Sequence, residues 1–191
     1  MAAPGDVIEN PVTGERVVFL QTGEQTGGAL LQAELFVRPG GFVAAEHVHP
    51  LQEERFAVRA GTLMLRVAGR ERRLVAGEAA TIPPGTPHVW WNDGAEELHV
   101  LVELRPAGRF DRFLETFFAL AHAGKTDRRG LPNLLQMAVS LRTYGDTIYP
   151  ASPPRAVQRV LVALLAPVGR LLGYEADCPY PRPERPRPGA A

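Results

Sequence analysis

The chain has 191 residues, of which 45% are hydrophobic and 22% charged, and its formal net charge is zero. That length suits one domain with an extension, and the composition is ordinary for a soluble globular protein. Zero net charge argues against nucleic acid or an anionic membrane as the main partner, since both need a basic face, and the single cysteine, Cys178, excludes an intrachain disulfide and fits a cytoplasmic protein. Residues up to about Asn10 read as frayed, and Met1 to Asp6 carry neither the charged region nor the apolar run of a secretory signal. Glu15 to Leu20 reads as a first strand, with Val17, Val18 and Phe19 inside it. Thr22 to Gly28 is a polar, glycine-rich loop. Ala29 to Arg38 alternates, placing Leu31, Ala33, Leu35 and Val37 on one face.

After the turn Pro39-Gly40-Gly41 come His47 and His49, two residues apart. In a strand, alternate side chains share a face about 6–7 Å apart, so two imidazoles can converge on one ion. On a helix the same pair would diverge by about 200°. The spacing therefore predicts strand. Glu54, Phe56 and Val58 then alternate with Glu53, Arg55 and Ala57. If Phe56 and Val58 face the core, Glu54 does too, and a carboxylate there is costly unless a cation neutralises it. This favours Glu54 over Glu53 as a metal ligand. Gly61 marks a turn, and strands follow at Leu63–Val67, Glu71–Leu74 and Ala79–Ile82. Pro83-Pro84-Gly85 is a tight corner that delivers His88 to a neighbouring strand. Trp90 shares the parity of His88 and is expected beside it, so Phe56, Val58 and Trp90 are the candidate pocket walls. Trp91 points the other way and is expected in the core. Asn92-Asp93-Gly94 signals a hairpin, and Leu98 to Leu104 is the last clear strand. There Val100, Val102 and Leu104 are expected inward, leaving His99 and Glu103 solvated.

Three histidines and a carboxylate suit one divalent transition-metal ion, whether Fe, Mn, Ni, Zn, Co or Cu. Four protein ligands leave one or two positions open on a five- or six-coordinate ion, as a catalytic site requires. Gly41, His47, His49, Glu54 and Gly61, followed by Gly77, Pro83, Gly85, His88 and Asn92, fill every fixed position of a two-part pattern. That pattern resembles the cupin superfamily. The resemblance covers roughly Val7 to Pro106. It implies an all-β fold, a double-stranded β-helix or jelly-roll barrel over residues 7–106, with metal bound by His47, His49, Glu54 and His88. It also implies that Glu54 can act catalytically, leaving the metal to take a proton as in some cupin dioxygenases.

Beyond the barrel the period changes. Phe110, Phe113, Leu114, Phe117, Phe118 and Ala121 recur at helical spacing, until His122 to Gly130 breaks the helix. His122 is expected as a capping or surface residue, and Cys178 has no base near it in sequence. Pro132 sits at a plausible first helical position ahead of Leu134, Leu135, Ala138 and Leu141. Gly145 to Pro154 reads as a loop. A third helix carries Val157, Val160, Leu161, Leu164, Leu165, Val168, Leu171 and Leu172 on one stripe. Residues 107–175 are thus expected as a helical extension, packed on the barrel or on a second copy in a homodimer. Residues 176–191 are a proline-rich tail, expected extended or disordered. The functional expectation is a metal-binding protein acting on a small organic molecule, with dioxygenase-like oxidation favoured over isomerase or lyase chemistry or simple ligand binding.

Overall fold

A computed structural model describes residues 2–181. Their strands form two antiparallel sheets. The first has the order β1 (Val7–Asn10), β2 (Glu15–Gln21), β3 (Leu31–Val37), β10 (Leu98–Arg105), β5 (Glu53–Ala60), β8 (Ala79–Ile82). The second has the order β11 (Tyr149–Pro150), β4 (His47–Val48), β9 (His88–Trp91), β6 (Thr62–Val67), β7 (Arg70–Val75). Each inner face is built by alternation. Leu31, Ala33, Leu35 and Val37 of β3 are buried, as are Val100, Val102 and Leu104 of β10 and Leu63 and Leu65 of β6. The two faces enclose one hydrophobic core, the packing that makes a jelly roll.

Gly61 makes the β5–β6 turn with φ of 76°, and a Cβ there would lie 2.9 Å from both the Glu97 carbonyl oxygen and Leu98 Cα. Both obstacles are backbone, and the conformation is left-handed. Gly61→Ala should therefore cost on the order of 1–3 kcal/mol, read as a lowered urea midpoint with unchanged slope.

The structure revises several expectations. The N-terminal residues are not frayed: β1 pairs with β2 from Val7↔Val18 to Asn10↔Glu15, because Ile8 and Asn10 alternate inward. The loop after the second helix contains β11, whose Tyr149 and Pro150 pair with Val48 and His47. The extension thus adds a strand to the barrel. Trp91 is not core. It is half-buried on the outer face, cross-strand from Met64, with the Arg66 guanidinium 6.0 Å from its ring centroid. His99 faces outward but is not merely solvated: it pairs with Glu34 and stacks on Phe36, ring centroids 4.3 Å apart.

Helix α1 (Phe110–His122) lays Phe110, Phe113, Leu114, Phe117 and Phe118 against the barrel core. Helix α2 (Leu134–Tyr144) starts later than Pro132, because the Asn133 side chain accepts the Gln136 N–H and so serves as the N-cap. Helix α3 (Arg155–Leu171) packs on α2 through Ala166 against Ala138 and Val139. Gly169 allows the close approach, since a Cβ there would meet Val139 Cγ2 at 2.7 Å. Most of the apolar stripe of α3 remains exposed, including Val160, Leu164 and Leu171. The described part of the tail is fixed at Tyr180, whose hydroxyl accepts the Glu9 N–H and meets His122 Nε2 at 2.9 Å. Residues 182–191 of the proline-rich tail lie outside the described residues. No helix among the described residues is long and apolar enough to cross a membrane.

Candidate metal centre

His47, His49, Glu54 and His88 come together at the junction of the two sheets. His47 and His88 are cross-strand partners on β4 and β9, their ring centroids 4.2 Å apart. His49 follows just after β4, its ring 5.1 Å from that of His47. Glu54 comes from β5 in the opposite sheet, cross-strand from Leu104 and Ile82. The corner at Gly85 ties the two halves of the motif together, because the Gly85 N–H donates to the His49 carbonyl at 2.8 Å. One potential ligand atom from each of the four residues lies within 4.8 Å of the others. Their exposures are 6%, 2%, 3% and 0% for His47, His49, Glu54 and His88. Glu53, by contrast, is exposed.

Each imidazole is held by a backbone carbonyl through Nδ1: His47 on Ala45 at 2.9 Å, His49 on Thr147 at 2.8 Å, His88 on Thr86 at 3.0 Å. A donating Nδ1–H leaves Nε2 as the nitrogen available for a metal, and such outer partners orient metal-binding histidines. Thr147 lies between α2 and β11, so the helical extension orients one ligand directly. His49 Nε2 is buried without a hydrogen-bond partner and stands 3.5 Å from Glu54 Oε2. A buried polar nitrogen left this way is costly. A cation among these atoms would remove that cost and take the Glu54 charge. The residues present therefore fit a divalent transition-metal ion.

Without a metal, a proton neutralises part of the cluster. His88 Nε2–H donates to Glu54 Oε2 at 2.7 Å. Burial alone would lower His88, but this bond and the Glu54 charge outweigh it and raise its pKa. Burial alone would raise Glu54, but His49 and His88 outweigh that and hold it below the usual carboxylate range. His47 is pushed well below the ordinary imidazole value, first by burial and then by the neighbouring histidines. Metal must displace the His88 proton, so affinity should rise with pH through the raised His88 pKa and fall below it. Competition titrations with a chelating indicator at several pH values would show this as proton release on binding.

His47 and Glu54 of the cluster line a cavity of about 120 Å³. Phe56 and Trp90 line it, with Leu35 and Val102 on the wall and Phe113 and Phe117 of α1 above. Val58 does not. It has the inward parity of Glu54 and Phe56, but it sits two residues farther along β5, cross-strand from Val100 in the core. Sequence reasoning missed the roof supplied by α1 and α2, and it missed Glu15. Glu15 is 7% exposed and lines the same cavity. Its signal was present in the chain: Glu15 has the parity of Val17 and Phe19.

A family model for the cupin domain matches residues 34–103. No curated protein matches the chain. Among solved structures, it is similar to a predicted oxalate decarboxylase from Thermotoga maritima, with 21% identity over 56% of this chain and 99% of that one, TM-score 0.48. It is also similar to a sugar phosphate isomerase from Silicibacter pomeroyi, with 25% identity over 55% and 67% of the two chains, TM-score 0.45. A third, KdgF from Halomonas sp., shares 19% identity over 53% and 87%, TM-score 0.46. The chain spans 61% of the length of another neighbour, from Acidithiobacillus ferrooxidans, at 24% identity over 50% of this chain and TM-score 0.42.

Proposed function

Residues 34–103 form a cupin domain, and from that premise we propose that His47, His49, Glu54 and His88 hold one divalent transition-metal ion at which a small, largely apolar organic molecule is oxidised in a dioxygenase reaction. The observation that carries this reading is the buried donor set itself, three oriented imidazoles and one carboxylate, with His47 and Glu54 on the wall of an apolar cavity. An ion held by His47, His49, Glu54 and His88 would supply Lewis acidity and, as iron, redox chemistry with O2. A dioxygenase places both atoms of O2 in its substrate and so needs no further reductant.

The chain's own residues have separable tasks. Ala45, Thr147 and Thr86 fix the three rings through their carbonyls. Glu54 balances charge, and its carboxylate is the proposed acceptor of a substrate proton. Phe56, Trp90 and the α1 phenylalanines exclude water and favour an apolar body.

The test is anaerobic reconstitution with Fe(II), followed by O2-electrode measurements over a panel of diketones and phenols. Substrate-dependent O2 uptake by wild type, absent in Glu54→Ala, is the expected result. Uptake no greater than the substrate-free control across the panel would overturn the dioxygenase reading, and turnover with Zn(II) or Mn(II) instead would replace it with non-redox chemistry.

A further inference from the structure

The cavity has a polar corner that takes no part in the metal cluster. Asn10 and Glu15 are cross-strand partners at the β1–β2 hairpin, both buried and both lining the cavity. Asn10 Oδ1 accepts the N–H groups of Val12 and Thr13 at 3.0 and 3.2 Å. That fixes the amide so that Nδ2 remains as a donor. The Thr13 hydroxyl donates to Glu15 Oε2 at 2.5 Å. Among the described residues, no group takes Asn10 Nδ2 or Glu15 Oε1. The hairpin thus uses one side of each polar group and leaves a donor and a carboxyl oxygen on paired residues that both line the cavity.

Turn formation accounts for Asn10 but not for Glu15. Asn10 makes an Asx turn, whereas a β-branched residue would serve the strand equally well at 15. A buried carboxyl with one partner is costly, and burial pushes Glu15 up to about 7, against the smaller opposing effect of Thr13. The corner is also remote from the cluster. Glu15 aligns through Val37 with Leu98, whereas Glu54 aligns with Leu104. Six residues along β10 correspond to roughly 20 Å of strand.

We infer that Asn10 and Glu15 form a second anchoring point in this cavity, one that takes a hydroxyl group at the far end of an otherwise apolar substrate. A hydroxyl accepts from Asn10 Nδ2 and donates to Glu15 Oε1 at once. An ammonium cannot accept, and a ketone cannot donate. The inference rests on the cavity being the substrate pocket of the proposed function, but it does not require any particular metal chemistry.

The test uses p-cresol and p-xylene, which differ by a hydroxyl in place of a methyl group, titrated calorimetrically into the metal-free 191-residue protein. The ratio of p-cresol to p-xylene affinity should fall about tenfold in Glu15→Leu, the worth of one buried hydrogen bond, while p-xylene affinity is kept. Glu15→Gln should largely preserve the wild-type ratio. Glu15→Val serves as the second apolar variant if Glu15→Leu fails to fold by circular dichroism. A ratio unchanged within twofold in the apolar variant, or no p-cresol binding to wild type, would overturn the inference. Metal content measured on the same variants should match wild type, so failure here is distinguishable from failure of the metal site.

Discussion

Replacing His49 with alanine should weaken divalent-metal binding by more than about 100-fold while leaving the barrel folded. Loss of a partner that merely orients a ligand costs about 10–100-fold, and His49 is itself a proposed ligand. Its Nε2 is the buried nitrogen of the cluster that no protein group satisfies. Its Nδ1 is committed to the Thr147 carbonyl and its ring edge rests on Phe110, centroids 5.1 Å apart. The substitution also orphans the Thr147 carbonyl, so the metal-free variant should lose about 1–3 kcal/mol. These effects separate in a paired experiment: metal affinity by competition with a chelating indicator, and stability by urea unfolding of the metal-free proteins. A variant that binds metal like wild type would remove His49 from the centre.

The second large effect concerns Glu15 and acts on stability. Its carboxyl is raised from 4.5 to about 7 by burial. Between those values the folded state holds a proton that the unfolded chain has released. The carboxyl therefore favours the folded state most at low pH, and stability falls as pH rises through that window. The loss by pH 8 is on the order of 3 kcal/mol. Glu15→Gln carries no charge at any pH, and its amide oxygen can still accept from Thr13. The variant should match wild type near pH 4.5 and exceed it in stability at pH 8. Urea unfolding of both metal-free proteins at the two values isolates Glu15, because other titrating groups cancel in the difference. A variant no more stable than wild type at pH 8 would contradict the assignment. A group that destabilises the fold at neutral pH, yet sits in the cavity wall, suits a residue kept for its ligand.

Much of the barrel was legible because strand alternation is local. Phe56 and Val58 alone separate Glu54 from Glu53, and the two carboxylates do lie on opposite faces. The same parity in Glu15, Val17 and Phe19 puts Glu15 on the inner face, an acid among apolar residues of one strand. Other features depend on contacts distant in sequence. No local signal announces that the Thr147 carbonyl meets His49 across 98 residues, or that Tyr149 and Pro150 join β4. Parity also cannot say how far along a strand a cavity reaches, which is why Val58 faces inward yet misses it. Periodicity marks the α3 stripe as apolar, but Leu164 and Leu171 are exposed, and a repeat of apolar residues does not specify what covers it.

The proposed centre is four residues sharing one ion. Elemental analysis of protein purified without added metal, and again after reconstitution, tests this most directly in wild type and His47→Ala. The expected result is about one divalent transition-metal ion per chain in wild type and little or none in His47→Ala under the same conditions. Equal metal content in the two proteins, or no stoichiometric metal in reconstituted wild type, would contradict it.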